Sequence, residues 1–154
     1  MTDEYLKMVL ALPDEFFENI TPEFGNLFWV ETYQGWEDGY SRKTYAILDH
    51  VFESGNYSLI LMDSTQIDER LYKWDFQYNK RDEVTYWRGW LIPSQEQLQK
   101  MSGISAFTFI HMLHSFSEDQ LQYGNKIPYD INCITLAFLV NLKYNYIWDG
   151  EKWI

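Results

Sequence analysis

One cysteine, Cys133, is the only thiol in the 154-residue chain, so no internal disulfide can form. The expected setting is therefore a reducing cytoplasm. Four prolines and eight glycines are spread without a Pro-, Gly- or Ser-rich run. With no internal repeat either, one domain spanning 1–154 is expected. No apolar run approaches the roughly 20 residues of a membrane span. The opening Met1-Thr2-Asp3-Glu4 is acidic where a secretory leader would be basic. Cations are scarce, 12 Lys and Arg against 23 Asp and Glu. Phosphate binding needs a concentrated basic face, so neither direct nucleic-acid binding nor an anionic membrane surface is expected. A phosphate loop, a dinucleotide fingerprint, a nucleophile elbow and zinc-ligand spacing are all missing. The chain does not read as an enzyme, and no cofactor is expected.

What the chain does have is apolar bulk and unevenly placed negative charge. Apolar residues make up 46% and aromatics 19%, enough to build a core without a metal or disulfide staple. The formal net charge is −11. Residues 1–40 carry nine carboxylates against one cation, Lys7, while the other 114 residues hold fourteen acids and eleven bases. Among those early acids stand Phe16, Phe17, Phe24, Trp29, Tyr33 and Trp36. A field of one sign beside large contact side chains steers basic partners. Aromatic rings next to carboxylates also suit Lys- and Arg-rich surfaces, through charge-assisted and cation–π contacts. The candidate partner-binding residues are Asp14, Glu15, Glu18, Glu23, Glu31, Trp36, Glu37 and Asp38. A solvated acidic face is the competing reading.

Periodicity places the elements. Tyr5, Leu6, Val9 and Leu10 predict a helix over 3–11, and Pro13 opens a second short helix with Asp14 and Glu15 in its first turn. Residues 27–33 alternate like a strand, and 34–40 read as a loop. Ser41 reads as the N-cap of a helix to about Glu53, with Tyr45, Leu48, Val51 and Phe52 on one side and Gly55 just past its end. A strand over 57–62 follows. Tyr72, Trp74, Phe76 and Tyr78 alternate with polar residues, and with 84–91 they predict an antiparallel hairpin over about 71–91. Ser94 and Gln97 have capping-box spacing for a helix ending near Gly103. Further helices are predicted over 105–116 and, capped by Asp130, over 131–144. The last is apolar nearly all round and is expected at the centre, under the sheet. Residues 146–153 predict a small hairpin with a type I′ turn at Asp149-Gly150. The class is α+β.

Three constellations could carry chemistry. His111, His114 and Glu118 have the donor types of a zinc site, yet Phe109, Met112, Leu113 and Phe116 define the buried side of that helix and put His111 and Glu118 opposite it. Cys133 lies in the most apolar helix with no base beside it, which fits a buried small side chain. The hairpin aromatics, Trp87 among them, could stack a ligand, although core packing accounts for Trp74, Phe76 and Tyr86.

Residues 90–101, Trp-Leu-Ile-Pro-Ser-Gln-Glu-Gln-Leu-Gln-Lys-Met, follow a W-L-P-x-Q-x-Q-L-x-x-M pattern with Ile92 inserted. Leu136-Ala137-Phe138-Leu139-Val140, Lys143-Tyr144 and Trp148-Asp149-Gly150-Glu151-Lys152-Trp153 follow an L-A-F-V-M-x-x-K-Y-x-x-x-W-D-G-E-x-W ending, with Leu139-Val140-Asn141 in place of Val-Met-Lys. In this order the segments resemble small phage, prophage and plasmid proteins of Gram-positive bacteria. The resemblance implies a mobile-element setting and brings no activity with it. Its motif residues look structural, with Trp148 and Trp153 expected to cap the central helix. Small acidic proteins of such elements often occlude the groove of a nuclease or defence effector, so the expectation is an anti-CRISPR-like inhibitor of a basic host protein. The alternatives are a homo-oligomeric accessory protein and a metal-dependent enzyme using His111, His114 and Glu118.

Overall fold

Short-range hydrogen bonds set most of the helix ends. In the computed structural model the described residues are 1–34, 41–51, 53, 57–61, 66–71, 75–80, 83–122 and 126–154. Side chains are described for 1–31, 43–50, 53, 59, 89–120 and 126–154. The fold is α+β, with two compact units, residues 1–20 with 93–154 and residues 21–92.

The first unit is helical. Helix α1 (Asp3–Leu10) starts where the Thr2 hydroxyl accepts from the Tyr5 amide, and α2 (Asp14–Glu18) follows Pro13. Both carry carboxylates in the first turn, at the positive end of the helix dipole. Helix α3 (Gln95–Ser102) has the expected capping box. The Gln97 amide donates to Ser94 Oγ at 3.2 Å and the Ser94 amide donates to Gln97 Oε1 at 3.0 Å. Gly103 ends α3 at φ +69°, a backbone region where a Cβ is strained. Helix α4 (Ala106–Gln122) runs past the predicted end at 116.

Helix α5 (Ile131–Tyr144) is capped by Asp130, whose Oδ1 accepts from the amides of Asn132 at 2.9 Å and Cys133 at 3.3 Å. Cys133 and every residue from Thr135 to Val140 are buried, so α5 forms the core of this unit. Phe109 and Phe116 of α4 pack against Phe138, with ring centroids 5.4 and 5.5 Å apart. The chain closes on a small hairpin with an isolated bridge between Trp148 and Trp153. Its loop is not the two-residue type I′ turn expected. Four residues, Asp149 to Lys152, connect the bridge, because Asp149 Oδ1 accepts from the amides of both Glu151 and Lys152 at 2.8 Å. Trp153 ties the hairpin to α1. Its indole N–H donates to the Met8 carbonyl of α1 at 3.0 Å, in the last turn where helix carbonyls lack partners.

The second unit is a six-stranded antiparallel sheet, β1 (Leu27–Gln34), β2 (Ser41–Val51), β3 (Tyr57–Leu61), β4 (Gln66–Leu71), β5 (Asp75–Lys80) and β6 (Glu83–Ile92), in the order β4-β3-β2-β1-β6-β5. The predicted hairpin is β5–β6, and it supplies one edge of the sheet, where β5 is outermost.

The helix expected over 41–53 is a strand. Tyr45, Leu48 and Val51 do fall at helical spacing, but Ala46 and Leu48 are the buried residues, alternating with exposed Ile47 and Asp49. Pairing with β1 on one side and β3 on the other fills the backbone bonds that a helix would have made internally. A register shift between Leu48 and His50 changes the phase of the pattern, which hid the period of two. Among the described side chains, Phe28, Val30, Ala46, Leu48, Leu59, Leu91 and Ile92 are the buried apolar residues of these strands. Of the loop predicted over 34–40, Gln34 belongs to β1 and residues 35–40 lie outside the described residues, as do Phe52 and Gly55.

Candidate binding surface

Helix α2 is held by its aromatics and presents its acids. Phe16 and Phe17 are buried, packed edge to face with centroids 5.7 Å apart, and Phe16 also meets the Tyr144 ring at 6.1 Å. Asn19, just past the helix, donates to the Glu15 carbonyl at 2.8 Å and to the Tyr144 hydroxyl at 3.2 Å. With two of five positions turned inward, Asp14, Glu15 and Glu18 are left exposed. Asp3 and Glu4 of α1 are exposed as well. The one cation of the region is occupied elsewhere, since Lys7 Nζ donates to the Gly150 carbonyl at 2.9 Å and lies 3.1 Å from Glu151 Oε1. Among the described residues, none of Asp14, Glu15 and Glu18 has an ion-pair partner.

The other candidates do not join this group in one unit. Glu23 is exposed, in a turn of the second unit where its amide donates to Asn26 Oδ1. Glu31 faces its own sheet. Its carboxylate is 13% exposed, lies 3.5 Å from Lys43 Nζ and accepts from the Trp29 indole at 3.2 Å. Trp29 in turn packs against Tyr45 with centroids 4.9 Å apart. The Glu31 charge is thereby matched within the strand pair β1–β2. Trp36, Glu37 and Asp38 lie outside the described residues, as do the side chains of Phe76, Tyr78, Tyr86 and Trp87.

His111 and His114 are exposed on α4, and His114 Nδ1 lies 3.8 Å from Glu118 Oε2, a helical i,i+4 neighbour. Among the described residues no three metal-ligating side chains converge. Cys133 is fully buried, and burial pushes its thiol up to about 11, which disfavours the thiolate a nucleophile needs. Burial likewise raises the Tyr5 phenol, whose hydroxyl donates to the Pro93 carbonyl at 2.7 Å. No helix is long and apolar enough to cross a membrane, among the described residues.

Two features had no counterpart in the sequence reading. Phe107 and Ile110 of α4 are 86% and 65% exposed, and their helical spacing resembles that of core residues. The second is a cavity beside Trp148, whose lining comes from residues far apart in the chain. No protein-family model, curated protein or solved structure matches the chain.

Proposed function

We propose that the protein acts in the bacterial cytoplasm as a mobile-element accessory protein that binds a basic host protein, a nuclease or defence effector, through its acidic N-terminal helices. The observation that carries this reading is the outward row of Asp14, Glu15 and Glu18, with the nearest cation in sequence, Lys7, committed to the C-terminal hairpin. Carboxylates held on a short helix anchored by Phe16 and Phe17 would occupy positions that phosphates otherwise take in a basic groove. Such contacts act mainly on association rate and fade as salt rises.

Glu18 separates binding from folding. It lies in the last turn of α2, where a cation suits the negative end of the dipole, so Glu18→Lys reverses the charge without loss of stability. The test is capture of basic proteins from a host lysate by wild type and by this variant, at low and high salt. The expected result is a basic nucleic-acid-binding protein retained by wild type at low salt only, and lost with Glu18→Lys. Retention unchanged by salt and by the reversal would sink the reading.

A second reading is self-association through α4, favoured by the exposure of Phe107 and Ile110. It predicts a mass in solution that rises with concentration and returns to the monomer with Phe107→Ser.

A further inference from the structure

Strands β4 and β5 stand at opposite ends of the sheet order, yet only residues 72–74 separate Leu71 from Asp75 in the chain. The four trans peptide links between them, at ~3.8 Å each, reach about 15 Å at most. Five gaps of ~4.8 Å make a flat six-stranded sheet about 24 Å across. Register widens the mismatch. Asp75 is level with Arg88, Glu31 and Lys43, whereas Leu71 is level with Tyr57 and Val51, eight residues beyond Lys43 on β2. At ~3.3 Å per residue that offset is roughly 25 Å, so a flat sheet would hold Leu71 and Asp75 about 35 Å apart. The sheet therefore curls until its two outer strands come within reach of each other.

Curling turns the register offset into a fit. One circuit of a barrel of tilted strands returns to the starting strand displaced along it. Six strand spacings total roughly 29 Å. A displacement of roughly 25 Å over that circuit corresponds to a tilt of about 40°, within the 35–45° typical of barrels. The buried face agrees. Pairing sets Phe28 beside Ala46 and Leu91, and Leu48 beside Leu59, all at most 3% exposed, in a unit without a helix among its described residues. A Cβ on Gly89 would stand 3.7 Å from Phe28 Cδ1, so the ring lies over this glycine with Ala46 as its other small neighbour. Narrow barrels admit large side chains beside small ones.

Every strand is thus a spatial neighbour of the next in the chain, and β1 also pairs with β6. Among the described residues only β4 and β5 are not paired with each other. We propose that β4 and β5 form the seam of a six-stranded barrel, that they zip by antiparallel backbone pairing, and that the unit opens first along this line. Free edges invite pairing with foreign strands. Here each edge finds its partner in the other, so the zipped unit offers no strand for a binding protein to extend. The seam is independent of α2 and of the partner proposed for it.

The test is native-state amide hydrogen exchange on the wild-type full chain, read residue by residue by NMR together with cross-strand NOEs. At an open edge, alternate amides point away from the sheet and exchange as fast as those of loops. In a zipped seam, consecutive amides of β4 and β5 are protected. The expected result is protection of consecutive amides over 66–71 and 75–80, at least about tenfold above loop values and below that of β1, with NOEs between β4 and β5 backbone protons. Alternating protection on both strands without those NOEs overturns the proposal. So does protection that rises with protein concentration, which would mean pairing with a second copy, and so does protection of the seam equal to that of β1.

Discussion

Trp148 is almost wholly buried and Trp153 only partly so, yet Trp153→Phe should destabilise the protein more than Trp148→Phe. Each change removes three ring atoms, the indole N–H among them. Scaled from the ~3–5 kcal/mol of a complete aromatic truncation, the lost packing is about 1–2 kcal/mol at the buried site. At Trp148 the same change also removes a buried donor that has no partner among the described residues, relieving about 1–3 kcal/mol. The two effects nearly cancel, leaving a change within about 1 kcal/mol of zero. At Trp153 the N–H donates to the Met8 carbonyl at 3.0 Å. Its loss removes about 0.5–1.5 kcal/mol of net hydrogen bonding on top of the packing, and unties the terminal hairpin from α1. The expected gap is about 2 kcal/mol, or roughly 4–8 °C in Tm for a chain of this length. Urea unfolding followed by far-UV circular dichroism reads it directly. A Trp148→Phe protein that loses as much stability as Trp153→Phe would refute the reasoning, and with it the claim that the indole N–H is unsatisfied.

Two further outcomes follow from the caps and the buried titrating groups. Asp130→Ala should lower stability by about 1 kcal/mol, because the amides of Asn132 and Cys133 lose their acceptor, whereas Asp130→Ser should retain most of it by chemical denaturation. The Cys133 thiol, raised by burial from 9.0 to about 11, favours the folded state fully below pH 9, and that contribution is lost as the pH rises toward 11. Burial of the Tyr5 phenol acts in the same direction. Wild type should therefore lose more stability than Cys133→Ala between these pH values, and parallel urea curves would contradict that.

The start and end of α3 and the start of α5 were legible because each depends on residues three or four apart, whereas the end of α4 was not. Ser94 with Gln97, Asp130 with the amides ahead of it, and Gly103 past the end of α3 carry their function in local bonding geometry. Strand β2 was not legible. A run with apolar residues at 45, 48 and 51 satisfies a helical period as well as a strand with a register shift. Only pairing with β1 and β3 removes the ambiguity. The terminal turn was misjudged because Gly150 takes a positive φ, +99°, without Asp149 doing so, and the Asp149 carboxylate accepts from the Glu151 and Lys152 amides across the loop.

Of the candidate acidic surface, the sequence alone established the imbalance of charge and the dipole-favoured position of Asp14 and Glu15. Tertiary structure decided which of these charges stay unmatched. Glu31 meets Lys43 and Trp29 through the register of β1 and β2, while Lys7 is drawn to Glu151, 144 positions away in the chain. Composition and helix caps act over a few residues and can be read in order along the chain. Charge neutralisation, and the unmatched indole of Trp148, depend on which distant residues are brought within a few ångströms, and only folding sets those distances.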